Sequence, residues 1–206
     1  MEALTPATPI EWSIADRPMP GERVSGDRCV VTPFEGGALL AVIDGLGHGE
    51  EASEAAELAA LTLASHADDA PVDLVRRCHE RLRRTRGAVM ALASVRPSSG
   101  VIEWVGVGNA EALRVSAREG ERRAALISRG GVVGYLLPPL RSTTTTAAAG
   151  DLVVMTTDGI GHAFTVGLDP TAATRVIASS ILTRYARSND DAAVLVARVL
   201  DAGGAR

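Results

Sequence analysis

The sequence predicts an α+β fold whose strands pair mostly in antiparallel fashion. Its predicted elements run in the order of three strands, two adjacent helices, a series of short strands, one helical stretch and a last strand. Strands and helices therefore do not alternate, as they do in a parallel α/β fold. The run GALLAVI at 37–43 has almost no polar alternation, which predicts a strand that is buried on both faces.

The N-terminal half is predicted to supply the first strands and both adjacent helices. The strands are expected at 10–15, 27–34 and 37–43. The first helix, 50–67, has small and apolar residues at helical spacing and acids in its first turn, where the helix dipole favours them. Pro71 begins a second helix, predicted over 71–87, whose basic face we expect to be solvated.

The C-terminal half changes to strand-like periodicity and closes on a helix and a strand. Short β-rich segments separated by turn signals predict strands at 87–97, 100–108, 111–118, 123–128, 141–149 and 150–159. A helix is predicted at 170–186 and a last strand at 190–200. Because no linker divides these elements, we expect one domain over 10–201, preceded by a flexible tail at 1–9.

Composition and charge exclude several function classes. Aromatic residues make up only 3% of the 206 residues, which argues against base stacking on exposed rings. The net charge of −4 argues against a protein that binds nucleic acid or an anionic membrane. No secretion signal or membrane span is visible, so we expect a cytoplasmic monomer in which Cys29 and Cys78 are reduced thiols.

The loop DGLGHG at 44–49 follows the buried strand and resembles a nucleotide-binding turn at first sight. Its glycines have the spacing G-x-G-x-G, whereas a dinucleotide fold requires G-x-G-x-x-G and a second parallel strand with an acid about 20 residues later. A phosphate loop of the Walker type requires Gly-Lys-Ser/Thr, which the chain lacks. Both nucleotide interpretations are therefore rejected.

The acid of this loop has a counterpart elsewhere in the chain. A lone Asp44 would be explained most simply as a cap for the following helix. However, TTDGIGH at 156–162 repeats DGLGH at 44–48, again after an apolar strand. A charge at the end of a buried strand costs several kcal/mol unless a cation compensates it. The repeat therefore shifts the interest from the glycines to Asp44 and Asp158.

Further acids stand at strand ends and indicate a site for hard cations. Asp27 precedes one predicted strand, and Asp190 and Asp191 open the last one. Carboxylate ligands suit Mg²⁺ or Mn²⁺ rather than zinc. His48 and His162 do not have the spacing of a zinc site, and no thiol supports one.

The segment CHERLRR at 78–84 has the bare C-x₅-R spacing of a cysteine phosphatase. In that chemistry a glycine-rich turn wraps the phosphate while a thiolate attacks it. No glycine lies between Cys78 and Arg84, and the segment is predicted to lie within a helix. We therefore interpret Cys78 as a structural residue on a helix face.

Taken in order, the motifs SGD, VIDGLGHG, TTDGI and NDDAAVLV resemble those of metal-dependent protein phosphatases of the type-2C family. The resemblance is to the SpoIIE-like bacterial branch in particular, and it extends from residue 25 to 197. It implies a four-layer α-β-β-α sandwich in which two mostly antiparallel sheets are flanked by helices. It also implies two Mn²⁺ or Mg²⁺ ions.

The resemblance assigns roles to individual residues. The implied metal ligands are Asp27, Asp44, the carbonyl of Gly45, Asp158 and Asp190, with Asp191 as an alternative to Asp190. Asp44 would bridge the two ions, and Asp27 would act mainly through bound water. Two such cations neutralise a phosphate ester and lower the pKa of a shared water, so no covalent phosphoenzyme is needed.

Three positions depart from the family pattern. Relatives outside bacteria often carry a proton-donating His two residues after the bridging Asp, where this chain has Leu46. His48 and water are the candidate replacements, and a cap or a supporting role is equally compatible with the place of His48 at a helix start. A possible third metal site loses its acid at Gly108-Asn109, and a common hydroxyl in the final motif is replaced by Ala193.

Within the branch, the chain is similar to the stand-alone phosphatases that reset the stressosome and the sigma-B pathway. This similarity implies phosphoserine or phosphothreonine on STAS-domain stressosome or anti-sigma-factor-antagonist proteins as the substrate. Two alternatives from other classes stay open. One is a pseudophosphatase that uses the fold to bind a partner, and the other is a hydrolase of small phosphoesters.

Overall fold

A computed structural model describes residues 10–118 and 123–201, and the following statements concern those residues. The tail predicted at 1–9 lies outside them. The strands are β1 (Ile10–Arg17), β2 (Asp27–Phe34), β3 (Gly37–Gly45), β4 (Ala88–Arg96), β5 (Val101–Val107), β6 (Glu111–Val115), β7 (Ala124–Ala125), β8 (Thr143–Thr146), β9 (Leu152–Thr156) and β10 (Ala192–Val199). The helices are α1 (Glu50–Ala64), α2 (Pro71–Leu82), a short 3-10 helix (His162–Thr165) and α3 (Thr174–Tyr185).

The described strands form two five-stranded sheets in which every pair of neighbouring strands is antiparallel. One sheet has the order β1-β10-β9-β6-β7, and the other has the order β2-β3-β4-β5-β8. This arrangement confirms the α+β prediction. It also places β3 and β9, the strands that precede the two DGxGH motifs, in different sheets.

Three layers of buried side chains hold the sandwich together. The first lies between the sheets and includes Leu40, Val42 and Met155. The second joins α1 and α2 to the outer face of the β2-to-β8 sheet, and the third joins α3 and the 3-10 helix to the outer face of the other sheet. The four-layer α-β-β-α order is thereby confirmed. All residues from 38 to 43 are fully buried, as their apolar run predicts.

Several element boundaries differ from the predicted ones for local reasons. The second helix ends at Leu82 rather than at 87, because the Thr85 hydroxyl donates to the Leu82 carbonyl and accepts from the N–H of Gly87. The last helix begins at Thr174 rather than at 170. There the carboxylate of Asp169 accepts two hydrogen bonds from Thr171 and holds the chain in a turn.

The other differences lie at element ends: β1 and β3 each extend two residues beyond the predicted 10–15 and 37–43, and several elements are shorter than predicted. The first helix ends at residue 64 instead of 67, the strand predicted at 123–128 is reduced to two residues, and those at 150–159 and 190–200 each lose residues at both ends. Among the residues described, none of the helices combines the length and apolar character needed to cross a membrane.

Cys78 lies inside α2 and is buried, which agrees with its interpretation as a structural residue. Burial raises the pKa of its thiol to about 12, so the reactive thiolate is scarce at neutral pH. Cys78 and Cys29 are both free cysteines.

Candidate metal centre

The pairing of β2 with β3 brings the first two candidate acids together. Asp27, the first residue of β2, lies opposite Asp44 near the end of β3. Side chains alternate between the faces of a strand, and Val42, two residues before Asp44, belongs to the core between the sheets. The carboxyl group of Asp44 therefore points into the space between the sheets at one end of the sandwich.

Asp158 and Asp190 reach the same end from the other sheet. Strands β9 and β10 are antiparallel neighbours, so the residues that follow β9 lie beside those that precede β10. The hydroxyl of Thr157 donates a hydrogen bond of 2.6 Å to a carboxylate oxygen of Asp27. This bond connects the two sheets at the point where the candidate acids meet.

Burial and repulsion between neighbouring acids perturb Asp27. Burial is the largest cause of the rise of its pKa from 3.8 to about 7, and the hydrogen bond from Thr157 partly offsets that rise. The charges of neighbouring acids raise the pKa further, and these acids are Asp191, Asp158 and Asp190. The side chain is almost inaccessible to solvent, with 4% of the residue exposed.

Asp44 is strongly influenced by its neighbours. Burial raises the pKa of Asp44 well above its ordinary value, and the charges of Asp27 and Asp158 raise it further. Burial and the charge of Asp158 raise the pKa of Asp190 as well.

The chemistry of these residues fits hard divalent cations. In the described part of the chain, none of the ion pairs involves Asp27, Asp44, Asp158 or Asp190. The charge of Arg187 acts on Asp190 only as a minor influence on its pKa. Clustered carboxylates with so little compensation are suited to Mg²⁺ or Mn²⁺.

The metal-free arrangement is not a closed ligand set. Among the described residues, no three His, Cys, Asp or Glu side chains are grouped closely enough to enclose a cation.

The two adjacent acids of the final motif have different surroundings. The carboxylate of Asp191 is buried, and it accepts hydrogen bonds from the backbone N–H groups of Met19 at 2.7 Å and Gly26 at 2.8 Å. Asp191 thus fastens the segment that leads into Asp27. Asp190 is half-buried, and its pKa is raised first by burial and then by the charge of the neighbouring acid Asp158.

The glycine that follows the acid in each DGxGH motif is required on steric grounds. A Cβ atom on Gly45 would lie 2.1 Å from the carbonyl oxygen of Ala52 in α1, and one on Gly159 would lie 1.8 Å from the carbonyl oxygen of Asp191. Both distances are impossible for a side chain. Close packing of backbone against backbone therefore requires glycine at these two positions. This requirement holds whether or not the Gly45 carbonyl binds a metal ion.

The histidines of the two motifs form matching pairs with glutamates. The Nδ1 atom of His48 lies 2.6 Å from a carboxylate oxygen of Glu22, and Nδ1 of His162 pairs in the same way with Glu111. Both rings are exposed. Because each pair uses Nδ1, the Nε2 atom of each ring is left facing outward from its glutamate.

Sequence analysis did not identify several residues that contact the acids or the histidines of the two motifs. Thr157 follows the strand as an ordinary hydroxyl residue, and Glu22 and Glu111 lie in no recognisable motif. Asn109 was noted only as a departure from the family pattern. Its amide donates a 2.6 Å hydrogen bond to Asp158, so it belongs to the same cluster. Of these residues, only Asn109 could have been found from the sequence, through its position in the family motif.

Comparisons with known proteins identify the family. The model of Stage II sporulation protein E (SpoIIE) matches residues 35–200. A chain solved in work on the bacterial stressosome, as a modular system adapted to control secondary messenger signaling, is 33% identical, with a TM-score of 0.84. The alignment covers 92% of this chain and 99% of that one. No curated protein matches the chain.

Two more distant structures share the fold and contain metal ions. RsbX in complex with magnesium is 19% identical, with a TM-score of 0.79 and coverage of 92% of this chain and 95% of that one. The catalytic domain of the serine/threonine phosphatase PstP with two manganese ions is 17% identical, with a TM-score of 0.70 and coverage of 93% and 99%. The chain therefore belongs to the SpoIIE family and has the fold of the type-2C protein phosphatases.

Proposed function

We propose that this chain is a metal-dependent protein serine/threonine phosphatase. The observation that carries the proposal is the convergence of Asp27, Asp44, Asp158 and Asp190 at one end of the sandwich without ion-pair partners among the described residues. Such a cluster is costly unless cations occupy it. Membership of the SpoIIE family supports the same activity.

The residues that would hold two Mn²⁺ or Mg²⁺ ions are Asp27, Asp44, Gly45 through its carbonyl, Asp158 and Asp190. When bound, these ions supply charge neutralisation for a phosphate dianion and an acidified water. We assign the ligand role to Asp190 rather than Asp191, since both oxygens of Asp191 already accept backbone hydrogen bonds.

The chain's own residues orient this cluster. Thr157 holds one oxygen of Asp27, and Asn109 holds one oxygen of Asp158, so two acids have fixed rotamers before any ligand arrives. His48 is the candidate donor of a proton to the leaving serine or threonine oxygen. A Glu22 carboxylate can only accept, so Nδ1 of that ring donates to it, and donation from Nε2 would use the imidazolium form of the ring.

The substrate proposed is phosphoserine or phosphothreonine on STAS-domain stressosome or anti-sigma-factor-antagonist proteins. Support comes from the 33% identity to a chain solved in work on the stressosome and from the shared fold of RsbX. In this proposal residues 10–201 form one catalytic domain, which acts as a cytoplasmic monomer.

The test is phosphate release from phosphorylated STAS-domain proteins with Mn²⁺, Mg²⁺ or EDTA. Wild type is compared with Asp44→Asn and with the matched control Asp73→Asn, which alters an exposed acid on α2. We expect activity in either metal that EDTA and Asp44→Asn abolish and that Asp73→Asn preserves.

Other outcomes point to other functions. Turnover that survives both EDTA and Asp44→Asn would contradict the metal mechanism. Binding of the phosphoprotein without turnover in any metal would indicate a pseudophosphatase. Faster turnover of a small phosphoester than of the phosphoprotein would indicate a small-molecule hydrolase.

A further inference from the structure

A groove runs beside the candidate metal centre along β6 and β7. Its volume is about 360 Å³, and Asn109 forms one end of it. The same Asn109 donates its hydrogen bond to Asp158, so the groove begins one side chain away from a proposed metal ligand. Its far wall comes from the 3-10 helix through His162 and Thr165.

The lining of the groove is mainly apolar, with one charged pair. Small and aliphatic side chains supply most of it, including Ala112, Leu113, Ala125 and Leu126. The pair formed by Glu111 and His162 also lines it. No lysine or arginine lines the groove among the described residues. This lining favours an aliphatic side chain and disfavours an anionic one.

The position of the groove determines what can reach it. A phosphorylated serine that presents its phosphate to the acid cluster must continue as polypeptide on both sides. An extended chain advances about 3.3 Å per residue, so a residue two or three positions away lies within reach of a groove that starts at Asn109. β7 also ends its sheet, so the edge beside Ala125 is where an extended segment can lie.

We propose that this groove binds the polypeptide segment next to the phosphorylated residue and selects an aliphatic side chain two or three positions from it. This inference rests on the proposed function and adds to it a determinant of substrate choice. The occupant is a neutral, extended segment of the substrate protein, since the described lining is mainly apolar and Glu111 within it repels an acidic segment.

The test uses phosphoserine peptides with Leu, Asp or Lys at two and three positions on each side of the phosphoserine. The measured quantity is the ratio of kcat/KM for each peptide to kcat/KM for p-nitrophenyl phosphate, which has no polypeptide. The groove variant is Ala125→Asp, at an exposed residue that lines the groove. The matched control is Ile127→Asp, whose side chain is 86% exposed and lies outside the groove lining.

We expect wild type to prefer the Leu peptide to the Asp peptide by about tenfold or more, the range that one aliphatic contact provides. Ala125→Asp should lower the ratio for the Leu peptide by about tenfold. The same substitution should raise the ratio for the Lys peptide relative to that for the Leu peptide. Ile127→Asp should leave the ratio at its wild-type value. Equal effects of the two variants, or no preference among peptides in wild type, would overturn the proposal.

Fluorescence anisotropy with the same labelled peptides separates this inference from the proposed function. If wild type hydrolyses neither substrate in Mn²⁺ or Mg²⁺, the proposed function fails. A Kd for the Leu peptide that rises about tenfold in Ala125→Asp, but not in Ile127→Asp, would still support the groove. If Ala125→Asp instead dissociates a dimer of the chain in sedimentation, the occupant is a second copy and the proposal is wrong.

Discussion

Thr157 directly follows β9 of one sheet, Asp27 begins β2 of the other, and a 2.6 Å hydrogen bond from the Thr157 hydroxyl to the Asp27 carboxylate joins them. The hydroxyl also accepts a hydrogen bond of 2.9 Å from the N–H of Ala193. All three residues are buried. One side chain therefore both orients a proposed metal ligand and connects the sheets at the end where the acids converge.

Replacement of this hydroxyl should weaken both the fold and the metal site. Thr157→Val keeps the shape but leaves Asp27 and the Ala193 N–H without their partner, which should lower the free energy of unfolding by about 1–3 kcal/mol. Urea unfolding in EDTA measures this loss. The apparent Kd for Mn²⁺, measured by thermal shift, should rise about tenfold or more.

The adjacent residue provides a matched control. The hydroxyl of Thr156 is buried and has no hydrogen-bond partner within the part of the chain that the structure describes. Thr156→Val should therefore be neutral or stabilising by up to about 1 kcal/mol. Equal destabilisation by both substitutions would mean that the bond to Asp27 contributes nothing specific.

Substitution of the two acids of the final motif should have different effects on stability and on metal affinity. Asp191→Asn places an amide where two backbone N–H groups now donate, so we expect a loss of about 1–3 kcal/mol in unfolding free energy. Asp190→Asn removes a charge beside Asp158, so the metal-free protein should be at least as stable as wild type. Its Mn²⁺ affinity should fall about 10–100-fold, as for loss of a group that supports a metal.

Urea unfolding in EDTA and Mn²⁺ titration measure the two effects for each variant. The reverse pattern, with destabilisation by Asp190→Asn and loss of metal affinity without destabilisation by Asp191→Asn, would assign the ligand role to Asp191.

The raised pKa values predict that the metal-free fold weakens as pH rises. Folded Asp27 has a pKa of about 7 against an ordinary value of 3.8, so between these values the native state binds more protons than the unfolded state. The resulting stabilisation is complete below pH 3.8 and is lost as pH rises through 7. In EDTA, the free energy of unfolding should fall by about 2 kcal/mol from pH 5.5 to pH 8.5 through the deprotonation of Asp27 alone.

Metal should remove much of this pH dependence. A bound cation replaces the proton as the partner of the carboxylates, so the Mn²⁺-induced rise in Tm should be larger at pH 8.5 than at pH 5.5. Asp44→Asn, which is neutral at any pH, should be more stable than wild type in EDTA at pH 8.5. Identical pH slopes with and without Mn²⁺ would show that these acids do not bind it.

Residues that lie at the ends of strands could be predicted from the sequence. The apolar run before Asp44 and its counterpart before Asp158 identify buried strands, and a charge directly after such a strand is expensive unless a ligand compensates it. Strand alternation then places both acids at the end of the sandwich. The α+β class follows from the order of elements in the same way.

Contacts between distant side chains could not be predicted. The bond of Thr157 to Asp27 spans 130 residues, and the pair of Glu22 with His48 depends on how a turn-rich loop folds over the start of α1. No periodicity or spacing encodes such contacts. The helix ends at Leu82 and Thr174 depend on single side-chain hydrogen bonds that compete with the helix, which propensity averages over a window do not capture.

The pair of His48 and Glu22 predicts that the loss of kcat on substitution depends on the leaving group of the substrate. A serine alkoxide needs a proton as it leaves, whereas p-nitrophenolate leaves readily as an anion. If Nε2 of His48 supplies the proton, His48→Gln should lower kcat for a phosphoserine peptide by about 100-fold and for p-nitrophenyl phosphate by less than about tenfold. Glu22→Gln should show the same selectivity with a smaller loss, since it affects only the orientation of the ring.

A histidine far from the acids provides the control for this pair. His66→Gln is the control, because the Nδ1 atom of His66 bonds to the Thr62 carbonyl at the far end of α1. If His48→Gln slows both substrates equally, His48 supports the metal centre or the fold and is not the proton donor.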